Sequence, residues 1–253
     1  MDSLKKTIQS IQVVGLAGVW NAVRYSVTRD WLERRFQKPG SSVKWSKPGL
    51  LQSVEHTDSG ARCLFEQTEL EITFLTPDLV RCEWAGGDPP QPYALAGAEW
   101  RPVATHVHKG RDGWRLESDH LAVLVQVDGS ISFCDAKGRV LREEYPPERR
   151  DATWVHCAAL RPEERIYGLG ERASSLNLRG GVYHMWNRDP AGWYHPGEDP
   201  LYICMPVYLG LHQSGGYVYF HENPMDATFD VGATDPSTLV ARFSGGSLRA
   251  YLC

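Results

Sequence analysis

From residue 68 the chain is a succession of short segments in which apolar side chains occupy every second position, separated by Gly, Pro and Asp turns. Thr68–Leu75 sets the pattern, with Leu70, Ile72 and Phe74 on one side and Glu69, Glu71 and Thr73 on the other. A period of two belongs to an extended strand with one face buried; a helix repeats its apolar face every three to four residues. Leu79–Ala85 follows the Pro77-Asp78 turn and reads as the hairpin partner. His120–Val127 alternates again through Leu121, Val123, Val125 and Val127, and Asp128-Gly129, a two-residue hairpin signal, turns it into Ser130–Cys134. Further strands are expected at 140–141, 153–159, 181–186, 201–211, 216–221, 227–231, 238–243 and 248–252. No helix-period segment of useful length follows residue 38. So many short strands predict a mainly β fold, a large two-sheet antiparallel β-sandwich.

The first 38 residues obey another period. Ile8, Ile11, Leu16, Trp20, Val23, Val27, Trp31 and Phe36 fit a helix over about 4–37, weakened by Gly15 and Gly18 and ended by Pro39-Gly40. The expected division is a helical N-terminal extension at 1–38, a Gly/Ser/Pro linker at 39–49 and the sandwich at 50–253. Ile11–Val23 follows Lys5 and Lys6 as the apolar part of a signal peptide would. Gln12 and Asn21 interrupt it, however, and Arg24-Tyr25 stands where a small-residue cleavage site is needed. It is also shorter than the roughly 20 apolar residues that span a bilayer. The favoured reading is a helix docked on the sandwich or on another domain. A membrane-surface helix with Arg24, Arg29, Arg34 and Arg35 at the headgroups is the lesser alternative, followed by disorder.

Charge and cysteine usage exclude several classes. The net charge is −4, and residues 1–38 hold seven Lys/Arg against three Asp/Glu, so the acidic excess lies in the rest of the chain. There is no basic field for nucleic acid. Cys63, Cys82, Cys134, Cys157, Cys204 and Cys253 are scattered, with no Cys-x-x-Cys pair, which argues against structural zinc and a disulfide framework. Reduced core thiols in a cytoplasmic protein are the expectation. The nine histidines show no ligand spacing, and His106 with His108 shares a strand face without a third ligand. No Gly-x-Ser-x-Gly elbow is present. No metal or cofactor is expected.

Three blocks are more specific. Tyr167-Gly168-Leu169-Gly170-Glu171-Arg172 spaces two glycines as a bulge or sharp turn requires, and without a surrounding βαβ unit it is no dinucleotide loop. Glu171 and Arg172 are expected to pair with each other or with a neighbouring domain. Trp186-Asn187-Arg188-Asp189-Pro190 opens a loop that runs to Pro200 and holds Trp193, Tyr194 and His195. It is too long and aromatic for a plain hairpin turn. Aromatic rings give sugars an apolar face to stack on, while Asp, Asn and Arg fix hydroxyls by hydrogen bonds. The third block pairs 206–210 with Tyr217-Val218-Tyr219-Phe220-His221-Glu222-Asn223.

In this order the blocks resemble the N-terminal domain of glycoside hydrolase family 31, the α-glucosidases and α-xylosidases. The resemblance covers about residues 60–253 and is densest over 166–252. It implies a galactose-mutarotase-like sandwich that leans on a catalytic (β/α)8 barrel, with a loop extending over the barrel mouth. In the family an Arg-Asp pair on that loop helps shape the sugar site, and Arg188 and Asp189 match it. Asp189 is the implied direct contact, Trp186 and Asn187 its supports, and Trp193 an aromatic contact. His221-Glu222 departs from the family's usual turn, where a turn built by Asn223-Pro224 is a sufficient reading.

Retaining glycosidases need two carboxylates about 5 Å apart, one nucleophile and one acid/base. In family 31 both sit on barrel strands, the nucleophile in a Trp-x-Asp-Met-Asn-Glu-like block that this sequence lacks; Met225-Asp226 is not that motif. The expectation is therefore the N-terminal domain of a retaining α-glycosidase, ending where the barrel should begin, inactive alone, and serving an α-glucoside or oligosaccharide substrate. Two alternatives stay open. One is a stand-alone carbohydrate-binding module. The other is a sugar epimerase, which needs a His base and a Glu or Asp acid paired in a concave sheet, and no such pair is visible in the sequence.

Overall fold

The computed structural model describes residues 2–36, 43–87, 99–190 and 194–253, which divide into a helical unit within Met1–Ser42 and a β unit within Val43–Cys253. The helical unit is α1 (Asp2–Phe36), interrupted at Gly15, whose φ of 70° and ψ of 168° are not helical. Glycine reaches such values without a Cβ penalty, so the helix breaks at one of the two positions that weakened it in the sequence. Leu16, Trp20, Val23, Val27 and Trp31 are exposed. The Arg35 guanidinium lies over the Trp31 ring, 5.4 Å from its centroid. Among the described residues no helix is long and apolar enough to cross a membrane.

The β unit opens with β1 (Leu51–Thr57), β2 (Gly60–Phe65), β3 (Glu69–Thr76), β4 (Leu79–Trp84), β5 (His106–Lys109) and β6 (Gly113–Glu117). Next come β7 (Leu121–Gln126), β8 (Ile131–Asp135), β9 (Val140–Glu144), β10 (Glu148–Arg150), β11 (Thr153–Ala159) and β12 (Arg165–Gly170). The last six are β13 (Val182–Met185), β14 (Cys204–His212), β15 (Gly215–His221), β16 (Ala227–Val231), β17 (Thr238–Phe243) and β18 (Leu248–Leu252). One sheet runs β1-β2-β3-β4-β18-β15-β14-β12; the other runs β13-β16-β17-β11-β9-β8-β7-β6-β5, with β10 beside β11. The pairings are antiparallel, for instance Thr73↔Arg81 in β3–β4 and Leu248↔Trp84 in β18–β4.

The expected alternation places the core. Leu70, Ile72 and Phe74 of β3 are buried, as are Val80, Cys82 and Trp84 of β4. From the other sheet come Leu121, Val123 and Val125 of β7, with Phe229 and Phe243 meeting edge-on at 5.9 Å. Burying such a side chain contributes roughly 1.5–3 kcal/mol, so these facing rows hold the layers together. Several strands exceed the sequence expectation. β2 and β6 were not anticipated, because β2 turns only Ala61, Cys63 and Phe65 inward and β6 buries only Leu116. Within the expected linker, residues 43–49 are described, and Ser46 exchanges backbone hydrogen bonds with Arg149 at 2.8 and 2.9 Å.

Candidate functional site

The loop predicted to carry function is fastened by the first of the three blocks. β12 slips register against β14 between Gly168 and Gly170, the bulge that the glycine spacing suggested. Gly170 has φ 86°, and a Cβ there would stand 2.3 Å from the Ile203 carbonyl oxygen. Only glycine lets the two backbones approach this closely. Just past the bulge, Arg172 folds back over it. Its Nε and Nη2 donate to the Leu169 carbonyl at 3.0 and 2.7 Å, and Nη1 donates to the His184 carbonyl at 3.0 Å. The same Nη1 forms an ion pair with Asp199, whose other carboxylate oxygen accepts from the His184 amide at 2.7 Å. One guanidinium thus closes the base of the loop, touching His184 before it and Asp199 at its end.

This corrects the expected pairing of Arg172 with Glu171 or with another domain. A buried guanidinium needs several acceptors at once, and the loop base supplies them, while Glu171 is exposed.

Farther along, the Arg188 amide donates to the Leu201 carbonyl at 2.9 Å, and Asn187 Oδ1 accepts from the Cys204 amide at 2.7 Å. Asn187 therefore secures the loop to the start of β14. Trp186, Asn187, Arg188 and Asp189 are exposed, whereas Pro190 is buried. Trp193 lies outside the described residues. Tyr194 is exposed, and the His195 amide is capped by Glu198 Oε2 at 3.1 Å. The segment thus presents an indole, an amide, a guanidinium and a carboxylate on a backbone pinned at both ends.

Two residues before Trp186, His184 Nε2 meets Asp226 Oδ1 at 2.6 Å, with both side chains nearly half exposed. Sequence reasoning missed this pair, since 42 positions separate its members and nothing marks either one.

A second pair lies in the core. His156 Nε2 contacts Glu144 Oε2 at 3.0 Å, and Glu144 Oε1 accepts from Arg142 Nε at 2.6 Å. His156 Nδ1 meets His221 Nε2 at 3.0 Å, and the Arg142 guanidinium lies 3.9 Å from the centre of the Tyr219 ring. Burial pushes the Glu144 carboxyl up, yet His156 and Arg142 together hold it well below the usual carboxylate range. Burial pushes His221 well down, helped by His156 and Arg142. This is the His–carboxylate pair that an epimerase needs, but both groups are at most 4% exposed. An acid or base must come within hydrogen-bond reach of the substrate, so the pair, carried by β9 and β11 of one sheet, is an enclosed core contact that His156 extends to His221 of the facing sheet.

The third block behaves as a turn. Asn223 Nδ2 donates to the Gly245 and Ser247 carbonyls at 2.9 and 2.8 Å, while its Oδ1 accepts from the Met225 amide at 2.9 Å. Among the described residues no three His, Cys, Asp or Glu side chains converge as a metal site.

The family model for the glycosyl hydrolase 31 N-terminal galactose mutarotase-like domain matches residues 69–230. The chain belongs to that family. The family 31 domain is 32% identical over 217 residues to alpha-glucosidase 2 of Bacillus thermoamyloliquefaciens, covering 81% of this chain and 27% of that protein. An alpha-glucosidase of Saccharolobus solfataricus is 31% identical over 90 residues, 36% of this chain and 13% of the relative. The chain thus spans about a quarter or less of these relatives. Among solved structures, a Flavobacterium johnsoniae GH31 dextranase complexed with isomaltotriose superposes with a TM-score of 0.70 at 18% identity, over 82% of this chain and 26% of the other. A GH31 alpha-xylosidase from a soil metagenome gives 0.65 at 17% identity, over 79% and 32%. At such identities the family 31 domain shares the fold with these structures.

Proposed function

We propose that this family 31 domain is the N-terminal part of a retaining α-glycosidase acting on α-glucosides, in which it supports the catalytic barrel and lends residues 186–190 to the sugar site. The observation that carries this reading is the double fastening of that loop by Arg172–Asp199 and by Asn187 to Cys204. A loop with exposed polar and aromatic groups on a held backbone has little ordering entropy to lose when it meets a ligand. In this reading Asp189 accepts hydrogen bonds from sugar hydroxyls, Arg188 donates to them, and Trp186 offers a stacking face. The nucleophile and the acid/base belong to the barrel, so the chain alone is inactive. The α-glucosidase names of the relatives favour a glucoside as substrate.

The rival is a stand-alone carbohydrate-binding module. Titrating the isolated chain with maltose and glucose while following amide NMR shifts separates the two. The proposal expects no saturable binding below millimolar concentration; tight, saturable binding through Trp186 and Tyr194 would sink it.

A further inference from the structure

Beyond Gly15, where α1 breaks, residues 16–36 form a helical stretch about 30 Å long. Leu16, Trp20, Val23, Val27 and Trp31 follow one another at steps of four, three, four and four residues, so they share one face. All five are at least half exposed. The opposite face carries Asn21, Thr28 and Arg29 beside Tyr25 and Leu32. Cations border the apolar stripe. Arg24 stands one turn on from Trp20, and Arg35, one turn on from Trp31, holds its guanidinium over that ring.

We propose that this stretch lies along the surface of an anionic lipid bilayer, with the stripe at the boundary between headgroups and acyl chains and Arg24 and Arg35 at the lipid phosphates. Among the described residues no helix is long and apolar enough to cross a membrane. A helix in the plane of the interface has no such requirement: it needs an apolar stripe, tryptophan on that stripe, and cations alongside whose alkyl stems can bury while their heads stay wet.

Charge selects the occupant. Residues 1–38 hold seven Lys/Arg against three Asp/Glu, a net of +4, whereas the remainder of the chain carries −8. An anionic surface attracts the first and repels the second, so the basic segment alone supplies the attraction. A second copy of the helix would bring the same positive excess against itself. The stripe also spans only about two heptads, short of the roughly three to four that a coiled coil sustains. The inference draws on no residue of the sugar site, so it stands or falls apart from the proposed function.

The test is sedimentation of the full chain with large vesicles, either of phosphatidylcholine alone or with about 30% phosphatidylglycerol added. Binding to the anionic vesicles should be at least about tenfold tighter than to the neutral ones. Raising NaCl from about 0.1 M to about 0.5 M should weaken it about tenfold, because screening shortens the reach of the arginines. Trp20→Ser with Trp31→Ser, which leaves the charge unchanged, should weaken it more than about tenfold, and Tyr25→Ser on the opposite face less than about threefold. Arg24→Gln with Arg35→Gln should weaken binding to the anionic vesicles about tenfold and leave the neutral ones unaffected. Both double variants should melt within about 2 °C of the parent, since these side chains face solvent. A parent chain that ignores anionic vesicles, or binds neutral ones equally well, overturns the proposal, as does full binding by the double tryptophan variant. A larger fall in Tm, or a dimer in light scattering that the tryptophan variant breaks, also overturns it, by giving the stripe to the β unit or to a second copy.

Discussion

Replacing Arg172 by alanine tests whether one guanidinium holds the candidate loop. Its side chain is 4% exposed and that of Asp199 18%, so removal strands a mostly buried carboxylate together with the Leu169 and His184 carbonyls. Deleting one partner of a buried ion pair costs about 3–5 kcal/mol, and partial access of water to Asp199 brings the expectation to about 3 kcal/mol. For a unit of this size that is a fall in Tm of about 6–12 °C. Arg172→Lys keeps the charge but loses the planar fork that serves several acceptors, so it should recover no more than about half. Urea unfolding at pH 7 measures both, and a cycle with Asp199→Ala isolates the pair. The coupling should reach about 1–2 kcal/mol. A loss under 1 kcal/mol for Arg172→Ala, or additive single substitutions, would refute the clamp.

The bulge beside it gives a steric prediction. Gly170→Ala should cost about 2–4 kcal/mol, because the new Cβ meets the Ile203 carbonyl; Gly180→Ala, with φ 84° and nothing within 4 Å, should cost only about 1 kcal/mol. Equal losses in urea unfolding would show that backbone conformation alone matters at Gly170. Acid should act in two stages. His221 stays neutral when folded but takes a proton when unfolded, so stability should fall as pH drops below about 6.5, by about 1.4 kcal/mol per unit. Glu144, held ionised in the fold, should add a second loss below about pH 4.3. A His221→Gln variant whose stability keeps the same slope between pH 6.5 and 5.5 would remove His221 as the source. In a polypeptide carrying both domains, Asp189→Ala should lower kcat/KM for α-linked disaccharides at least tenfold, about 1.4 kcal/mol of transition-state binding. An unchanged value takes Asp189 out of the site.

The fold was legible wherever apolar and polar side chains alternate strongly, as at Leu70, Ile72 and Phe74, because period two has one structural meaning. It was illegible where the inward residues are small or few, as in β2 and β6. The Gly168–Gly170 bulge could be read locally, since the requirement sits in the residues themselves. The fastening of the loop could not: Arg172, His184 and Asp199 meet only after β12, β13 and the loop end are assembled. Nor could the core pair be read. Arg142 and Glu144 look in sequence like solvated charge, and only the sandwich reveals that they are enclosed with His156 and His221. Arg188 and Asp189 were singled out only by resemblance, and what the structure adds is how the loop carrying them is held.

β18 bears on how the sheet can be made. The final strand of the chain lies inside its sheet, with β4 on one side and β15 on the other, and pairs Leu248 with Trp84. During synthesis β1 to β4 emerge first and must wait more than 160 residues for the strand that covers the open edge of β4. Until then that edge offers unpaired backbone groups to any passing chain. Folding of the sandwich is therefore gated by its last strand, and a nascent chain halted before residue 248 would display the edge that aggregation and chaperones both recognise.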